Sequence, residues 1–467
     1  MPRKLCSAIC LLMLAWLFCG SALGASEEGY VFTVTEEAVG LQIGNAEVLH
    51  GPTGVYRTDD PAVIQALDQA GLLEFCEEDG LIQLAETQTE EPTEDEYWVH
   101  SLLDYNCAAE QALTGQGVRI CMIDSGLYTG FGAYTDAVIE PGANYLAEQT
   151  DAALRADTND TYGHGTQVAS IIADRQYGLA PLVTLIPLKC FDAKNSMLSP
   201  VVEAVYDAVD VYHCDILNLS LGATTEFETL KAAVQYALDH GVLVVCAAGN
   251  LRSGYTSSGN DAYYYPASQD GVISVGSATQ SQTIATSSVQ NDKVTVAAPG
   301  AALTARSINA GAYKTVNGTS FAAPVVSALA ALAFSAEPDL EAQAFRDLLT
   351  ATAVDLGAKG RDNAFGHGLV NICSLLTRLQ QEEALFLFDQ NTRTLSVHQA
   401  AQKQIYSAFL TFYDIHGKFL STMFAENLTG HFYVDRLPLP EGTASYKLFT
   451  VDSGAAPLLP VQGNCLS

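Results

Sequence analysis

Between residues 97 and 376 the chain repeats one pattern: a short apolar run rich in β-branched residues, then a stretch of helical periodicity. The runs are Val118 to Ile123, Val183 to Pro187, Ile216 to Leu219, Val242 to Ala247 and Val272 to Val275. Strands with one wet face alternate polar and apolar residues, so runs with so few polar interruptions belong to strands covered on both faces. Helices between such strands imply right-handed crossovers and a parallel sheet. The expected class is α/β, a parallel central sheet with helices on both faces.

The flanks read differently. Arg3 and Lys4 precede an apolar stretch from Leu5 to Phe18 and the small residues Ala22, Gly24 and Ala25, the layout of a removable secretory signal over residues 1–24. An uncleaved anchor is the competing reading. Lipid attachment at Cys19 is disfavoured by the bulk of Trp16, Leu17 and Phe18 before it. From Gly29 to Ala85, strand-like stretches (Tyr30 to Val34, Leu81 to Leu84) surround a helical one, Pro61 to Ala70, opened by Asp59 and Asp60. A small α+β unit follows from this. Residues 86–96 are too polar to offset the entropy of ordering and read as an exposed linker where a protease could cut.

Beyond Gln380 the helical pattern stops. Leu385 to Phe388, Thr394 to Val397, Ala408 to Tyr413 and Tyr446 to Val451 alternate as strands, and Asp414 to Gly417 suits a hairpin turn. A small all-β domain is expected over residues 380–467. No internal apolar run is long enough for a stable membrane span in the mature chain.

The formal net charge is −31, and residues 27–96 contribute 18 acidic residues against the single basic Arg57. Binding nucleic acid or anionic lipid needs basic clusters, which are absent, so neither is an expected partner. Of the eleven cysteines, Cys6, Cys10 and Cys19 fall in the signal, and Cys76 falls in the acidic segment. Cys121, Cys190 and Cys246 sit in or beside apolar runs, where a thiol packs as a small hydrophobe. With no C-x-x-C pair, neither an obligatory disulfide network nor a metal cluster is expected.

Four segments carry chemistry. Val118 to Gly126 is a buried strand ending in Asp124-Ser125-Gly126; Gly163-His164-Gly165-Thr166 leads into a small-residue helix; Asn317-Gly318-Thr319-Ser320-Phe321-Ala322-Ala323-Pro324 opens an Ala-rich one. A serine hydroxyl is a poor nucleophile until a neutral imidazole takes its proton and a carboxylate fixes the imidazole's tautomer. Active sites of parallel sheets form beyond the carboxyl ends of the strands, which suits all three segments. At a helix start, Ser320 would present an unused backbone N–H to developing negative charge, and Pro324, expected in the first turn, would cost little there. Val244 to Asn250 ends another buried run, and the Asn250 amide is the candidate second donor to an oxyanion.

Taken together, Asp-Ser-Gly, Gly-His-Gly-Thr, Ala-Ala-Gly-Asn and Gly-Thr-Ser-Phe-Ala-Ala-Pro, in that order over residues 97–376, resemble the subtilisin-like serine proteases (subtilase family). The resemblance implies a secreted serine endopeptidase in which Asp124 orients, His164 is base and then acid, Asn250 with the Ser320 N–H holds the oxyanion, and Ser320 acylates. It also implies that Ser220, Leu221 and Gly222 pair with a bound peptide while Ala248 and Gly249 line the pocket before the cut bond. Asn260 to Pro266 would form the far wall, with Asp261 favouring a basic side chain. Protein or peptide substrates are the expected partners, and residues 25–96 would be a propeptide acting as an intramolecular inhibitor. No cofactor is required for catalysis, no metal-ligand set is assigned, and structural calcium is left open. Phe321 departs from the family's usual Met and removes an oxidation liability.

Each residue also has a plainer role: Asp124 as a turn cap, Ser320 as a helix cap, Asn250 as a turn former. The second Gly-His-Gly, around His367, resembles the family's closing turn and is read as structural. An aspartic-protease reading pairs Asp124 with Asp452, since both stand in Asp-Ser-Gly, but it leaves His164, Asn250 and Ser320 unused. The same fold also admits a catalytically silent binding protein and a peptide ligase or cyclase.

Overall fold

The structure, a computed structural model, describes residues 29–85, 97–251, 262–309 and 313–381, and the strands and tight turns between 385 and 464. The apolar N-terminal stretch, the acidic linker and Asp261 lie outside the described residues. The chain divides into two units, Met1–Leu375 and Leu376–Ser467.

The first unit opens with strands β1 (Tyr30–Val34), β2 (Glu47–His50), β3 (Val55–Thr58) and β4 (Leu73–Glu78), which form an antiparallel sheet in the order β2-β3-β1-β4. Helix Pro61–Ala70 packs on it through Val63, Ile64 and Leu67. That helix starts where the sequence implies. The Asp60 carboxylate accepts from the Ala62 N–H at 2.9 Å and Pro61 fills the first position, where a missing N–H costs nothing. The chain then leaves this sheet as β5 (Leu81–Leu84).

The central sheet comprises β6 (Arg119–Asp124), β7 (Val138–Ile139), β8 (Ala143–Asn144), β9 (Thr184–Lys189), β11 (Ile216–Leu219), β13 (Leu243–Ala247), β14 (Ile273–Ala278) and β15 (Val296–Pro299). Its order is β15-β14-β13-β11-β6-β9-β7, with β8 also on β9, and every pairing is parallel. Two short strands lie outside it, β10 (Asn195–Met197) and β12 (Leu221–Gly222). The pleat divides the core. Cys121, Ile123, Leu217, Leu219, Val244 and Cys246 cluster with helices Leu198–Asp210 and Glu228–Asp239. Helices His164–Ala173 and Thr319–Ala336 pack together beneath the strands, and Ser327 reaches Asn218 there at 2.9 Å. Both faces are covered, as the uninterrupted runs require.

Helix Thr319–Ala336 is long and apolar enough to cross a membrane, yet 83% of it is buried in the core. Pro324 lies in its second turn, which corrects the first-turn expectation. There its missing N–H orphans the Ser320 carbonyl one turn earlier. The Ser220 hydroxyl supplies the missing donor, 2.7 Å from that carbonyl. β16 (Leu303–Arg306) and β17 (Tyr313–Val316) form a hairpin ahead of this helix.

The described cysteines form a single bond, not a network. Cys107, on helix Asn106–Glu110, forms a disulfide with Cys373, on helix Ile372–Gln381, across a separation of 266 residues. Spacing along the chain carries no information about which thiols meet in space. Cys121, Cys190 and Cys246 are buried free thiols, and burial raises their pKa.

In the second unit, β18 (Leu385–Asp389), β19 (Thr394–Gln399) and β22 (Phe432–Pro438) form one antiparallel sheet. A second antiparallel sheet has the order β21 (Phe419–Glu426), β20 (Ile405–Tyr413), β23 (Ser445–Asp452), β24 (Val461–Asn464). The Asp414 carboxylate accepts from the N–H groups of His416 and Lys418 and shapes the turn after β20.

Candidate active site

β6 and β11 are neighbours at the place where the order of strands reverses, and both end at the same rim. Asp124 is the last residue of β6, and Ser220 follows β11. Helix His164–Ala173 begins beside them, and Asp124 Oδ1 lies 2.7 Å from His164 Nδ1. Both side chains are buried. The nitrogen facing the carboxylate is thereby the protonated one, which leaves Nε2 as the basic position. Burial pushes the Asp124 carboxyl above its usual range, against the pull of the imidazole and the Ser125 N–H, and the charge of Asp160 adds to the rise.

Asp160 is a residue the motifs did not point to. Its Oδ1 accepts from the Ser125 hydroxyl at 2.9 Å and the Gly163 N–H at 2.7 Å, while Oδ2 accepts from the Thr166 N–H at 2.9 Å and the Thr166 hydroxyl at 2.6 Å. Ser125 Oγ in turn accepts from the Gly165 N–H at 2.8 Å. One buried carboxylate thus ties the Asp-Ser-Gly turn to the first turn of the histidine's helix. Gly165 has to be glycine, because a Cβ there would stand 2.2 Å from the Gly126 carbonyl oxygen. The only hint of Asp160 in the sequence is its place four residues before His164.

Ser320 is the second residue of helix Thr319–Ala336, and Gly318 before it has φ 135°. Its hydroxyl donates to the Ser220 carbonyl at 2.9 Å. Phe321 is buried with its ring centroid 5.3 Å from that of His164. Asn250, after β13, is oriented by its own oxygen, which accepts from the N–H of Thr319 at 3.1 Å and its hydroxyl at 3.2 Å. This directs the Asn250 Nδ2 away from the helix, toward the N-terminal segment of the chain.

That segment occupies the rim. β5 runs antiparallel between β10 and β12, pairing Leu81 with Met197, Ile82 with Ser196, Gln83 with Gly222 and Leu84 with Leu221. The Leu84 N–H donates to the Lys194 carbonyl at 2.9 Å and the Ala85 N–H to the Ser220 carbonyl at 3.1 Å. The Ala85 carbonyl then accepts from the Ser320 N–H at 3.1 Å and from Asn250 Nδ2. Ile82 and Leu84 are buried.

The N-terminal sheet rests on the two outer helices beside this strand. Asp79 accepts from the Ser199 N–H at 2.8 Å and hydroxyl at 2.7 Å, at the start of helix Leu198–Asp210, and from Arg57 Nε at 2.8 Å. Glu77 does the same for helix Glu228–Asp239, accepting from the N–H groups of Glu228 at 3.0 Å and Thr229 at 2.8 Å. His50 stacks on Tyr206 with ring centroids 4.0 Å apart and reaches Asp210 at 2.8 Å.

Ala248 and Gly249 lie beside Asn250. From the segment expected as the far wall, Tyr264 stands against Gly249, and its hydroxyl donates to the Asn250 carbonyl at 2.8 Å. His367 is elsewhere, its N–H on the Thr295 carbonyl at 2.8 Å, and Asp452 belongs to the second unit. Among the described residues no group of three His, Cys, Asp or Glu is arranged to hold a metal ion.

Residues 115–368 match the family model described as "Subtilase family". A thermostable alkaline protease of Halalkalibacterium halodurans is 27% identical over 79% of this chain and 98% of its own length. Subtilisin DY of Bacillus licheniformis is 32% identical over 56% of this chain and 92% of its own length. The minor extracellular protease Epr of Bacillus subtilis is 30% identical over 66% of this chain, which spans 46% of that longer protein. Among solved structures, MycP1 with its N-terminal propeptide removed is 29% identical, with a TM-score of 0.51 over 60% of this chain and 97% of that one.

Proposed function

Because this chain belongs to the subtilase family and is a serine-type protease, we propose that it is a secreted endopeptidase in which Ser320 attacks, His164 carries the proton and Asp124 holds the imidazole. In this reading the Ser320 hydroxyl turns from the Ser220 carbonyl to His164 Nε2, loses its proton there and bonds to the scissile carbonyl carbon. The Ser320 N–H and Asn250 Nδ2 receive the oxygen as it becomes negative. Collapse breaks the C–N bond, His164 returns its proton to the leaving amine, and water repeats the sequence on the acyl-enzyme. Nucleophile, base and oxyanion donors all come from this chain, so the reading requires no cofactor. Secretion rests on the charge, length and small-residue end of residues 1–24 and on the word "extracellular" in the name of one relative.

The observation that carries the proposal is the Ala85 carbonyl, which occupies both oxyanion donors at the end of an antiparallel strand. A substrate held this way would be cut after the residue whose carbonyl is so held. Residues 25–85 are accordingly the inhibitory propeptide of the same chain, released by cleavage of the Ala85–Glu86 bond. The test is fluorophosphonate labelling with mapping of the modified peptide, alongside N-terminal sequencing of the purified protein. Label on Ser320 and a mature chain starting at Glu86 are expected. The Ser320→Ala chain should stay uncut after Ala85 and lose about 10⁶ in turnover, a magnitude carried over from subtilisin. Undiminished turnover by that variant would overturn the assignment.

A further inference from the structure

We infer that Tyr264 closes the pocket for the side chain preceding the cut bond and restricts this enzyme to substrates with alanine or glycine there; the inference rests on the reading of Ser320 as nucleophile. The anchoring of Ala85, with its N–H on Ser220 and its carbonyl on Asn250 and the Ser320 N–H, directs that side chain between segments 220–222 and 248–250. Glycines line both segments, an arrangement that would ordinarily leave room for a large group. Here the room is taken. A Cβ built on Gly249 would fall 2.3 Å from Cδ2, 2.4 Å from Cγ and 2.9 Å from Cε2 of Tyr264, so the ring lies directly on the glycine. On the opposite side, Cβ and Cδ1 of the same tyrosine come within 3.8 Å of the corresponding position on Gly222.

The ring is held at both ends. Its hydroxyl donates to the Asn250 carbonyl at 2.8 Å, and the next residue, Tyr265, exchanges two backbone hydrogen bonds with Ala223, at 2.8 and 2.9 Å. Swinging the ring out would break the first of these and leave a carbonyl beside the oxyanion donors without that partner, so the closure is built into the resting site. The residue the chain itself places there is alanine.

Hydrolysis of four peptides that differ only in this position (Gly, Ala, Leu, Phe), with Leu and Ile retained two and four residues before the bond, tests the inference on the native mature enzyme. Alanine is expected to exceed phenylalanine in kcat/KM by on the order of 10², the scale on which a filled apolar pocket rejects extra volume. Tyr264→Gly should raise kcat/KM for the Phe peptide by about the same factor. Tyr264→Phe, which keeps the ring but loses its tether to Asn250, should weaken the alanine preference without abolishing it. In the full chain, Ala85→Phe should slow self-cleavage, and adding Tyr264→Gly should restore it. A native enzyme that cuts the Phe peptide as well as the Ala peptide overturns the inference and leaves the Ser320 reading intact. Failure to cut any of the four, at the level of the Ser320→Ala protein, removes both.

Discussion

Single side chains in the candidate site are held by partners outside the proposed triad. Ser220 answers for Pro324 by bonding the carbonyl that a proline cannot reach, and Asn250 is aimed by Thr319. Asp160 is the clearest case, since its two oxygens hold the turn after Asp124 and the helix start at His164 together. Asp160→Asn leaves the shape but turns one acceptor into a donor facing an N–H or a hydroxyl. We expect kcat to fall by roughly 10–10², the cost of a small misplacement of reacting groups, with KM little changed. The acid limb of the kcat/KM profile should also move to lower pH, because an imidazolium loses a nearby negative charge. A fall in stability with kcat and the pH profile both unmoved would mean that Asp160 only supports the fold.

At the scale of elements, the N-terminal sheet meets two helices whose first-turn N–H groups have no acceptor within their own helix. Among their first residues, Ser199, Glu228 and Thr229 direct N–H groups outward, and the carboxylates of Asp79 and Glu77 accept them. The charge also suits the positive end of each helix. Asp79 is fully buried and pairs with Arg57 as well, so Asp79→Ala removes a cap and one of that guanidinium's two carboxylates, Asp59 being the other. Thermal unfolding of the uncut Ser320→Ala chain should register a loss of about 2 kcal/mol from this substitution, the order for a helix cap removed together with its buried hydrogen bonds. Glu74→Ala, an exposed site on the same strand β4, should be neutral by comparison.

For the whole molecule, the Cys107–Cys373 bond ties helix Asn106–Glu110 to the first turn of helix Ile372–Gln381. Closing so long a segment restricts the unfolded chain by about 5–6 kcal/mol in the loop-entropy account. Changing both cysteines to serine should therefore lower the unfolding temperature and the denaturant midpoint, while kcat on a small peptide stays as it was. Equal midpoints for the two proteins would show that the bond contributes nothing. Nothing in the sequence pattern anticipates this pairing, whereas the sheet, its rim and the four candidate residues placed there are legible in the sequence. The difference is physical. Runs such as Ile216 to Leu219 and the glycines around His164 and Ser320 express local demands, burial on both faces and backbone room, that a chain must meet wherever it folds. Which distant residues come together is decided by packing. The meeting of Cys107 with Cys373, of Asp160 with Ser125, of Ala85 with Asn250 and of Tyr264 with Gly249 each depends on loop paths that no local pattern encodes.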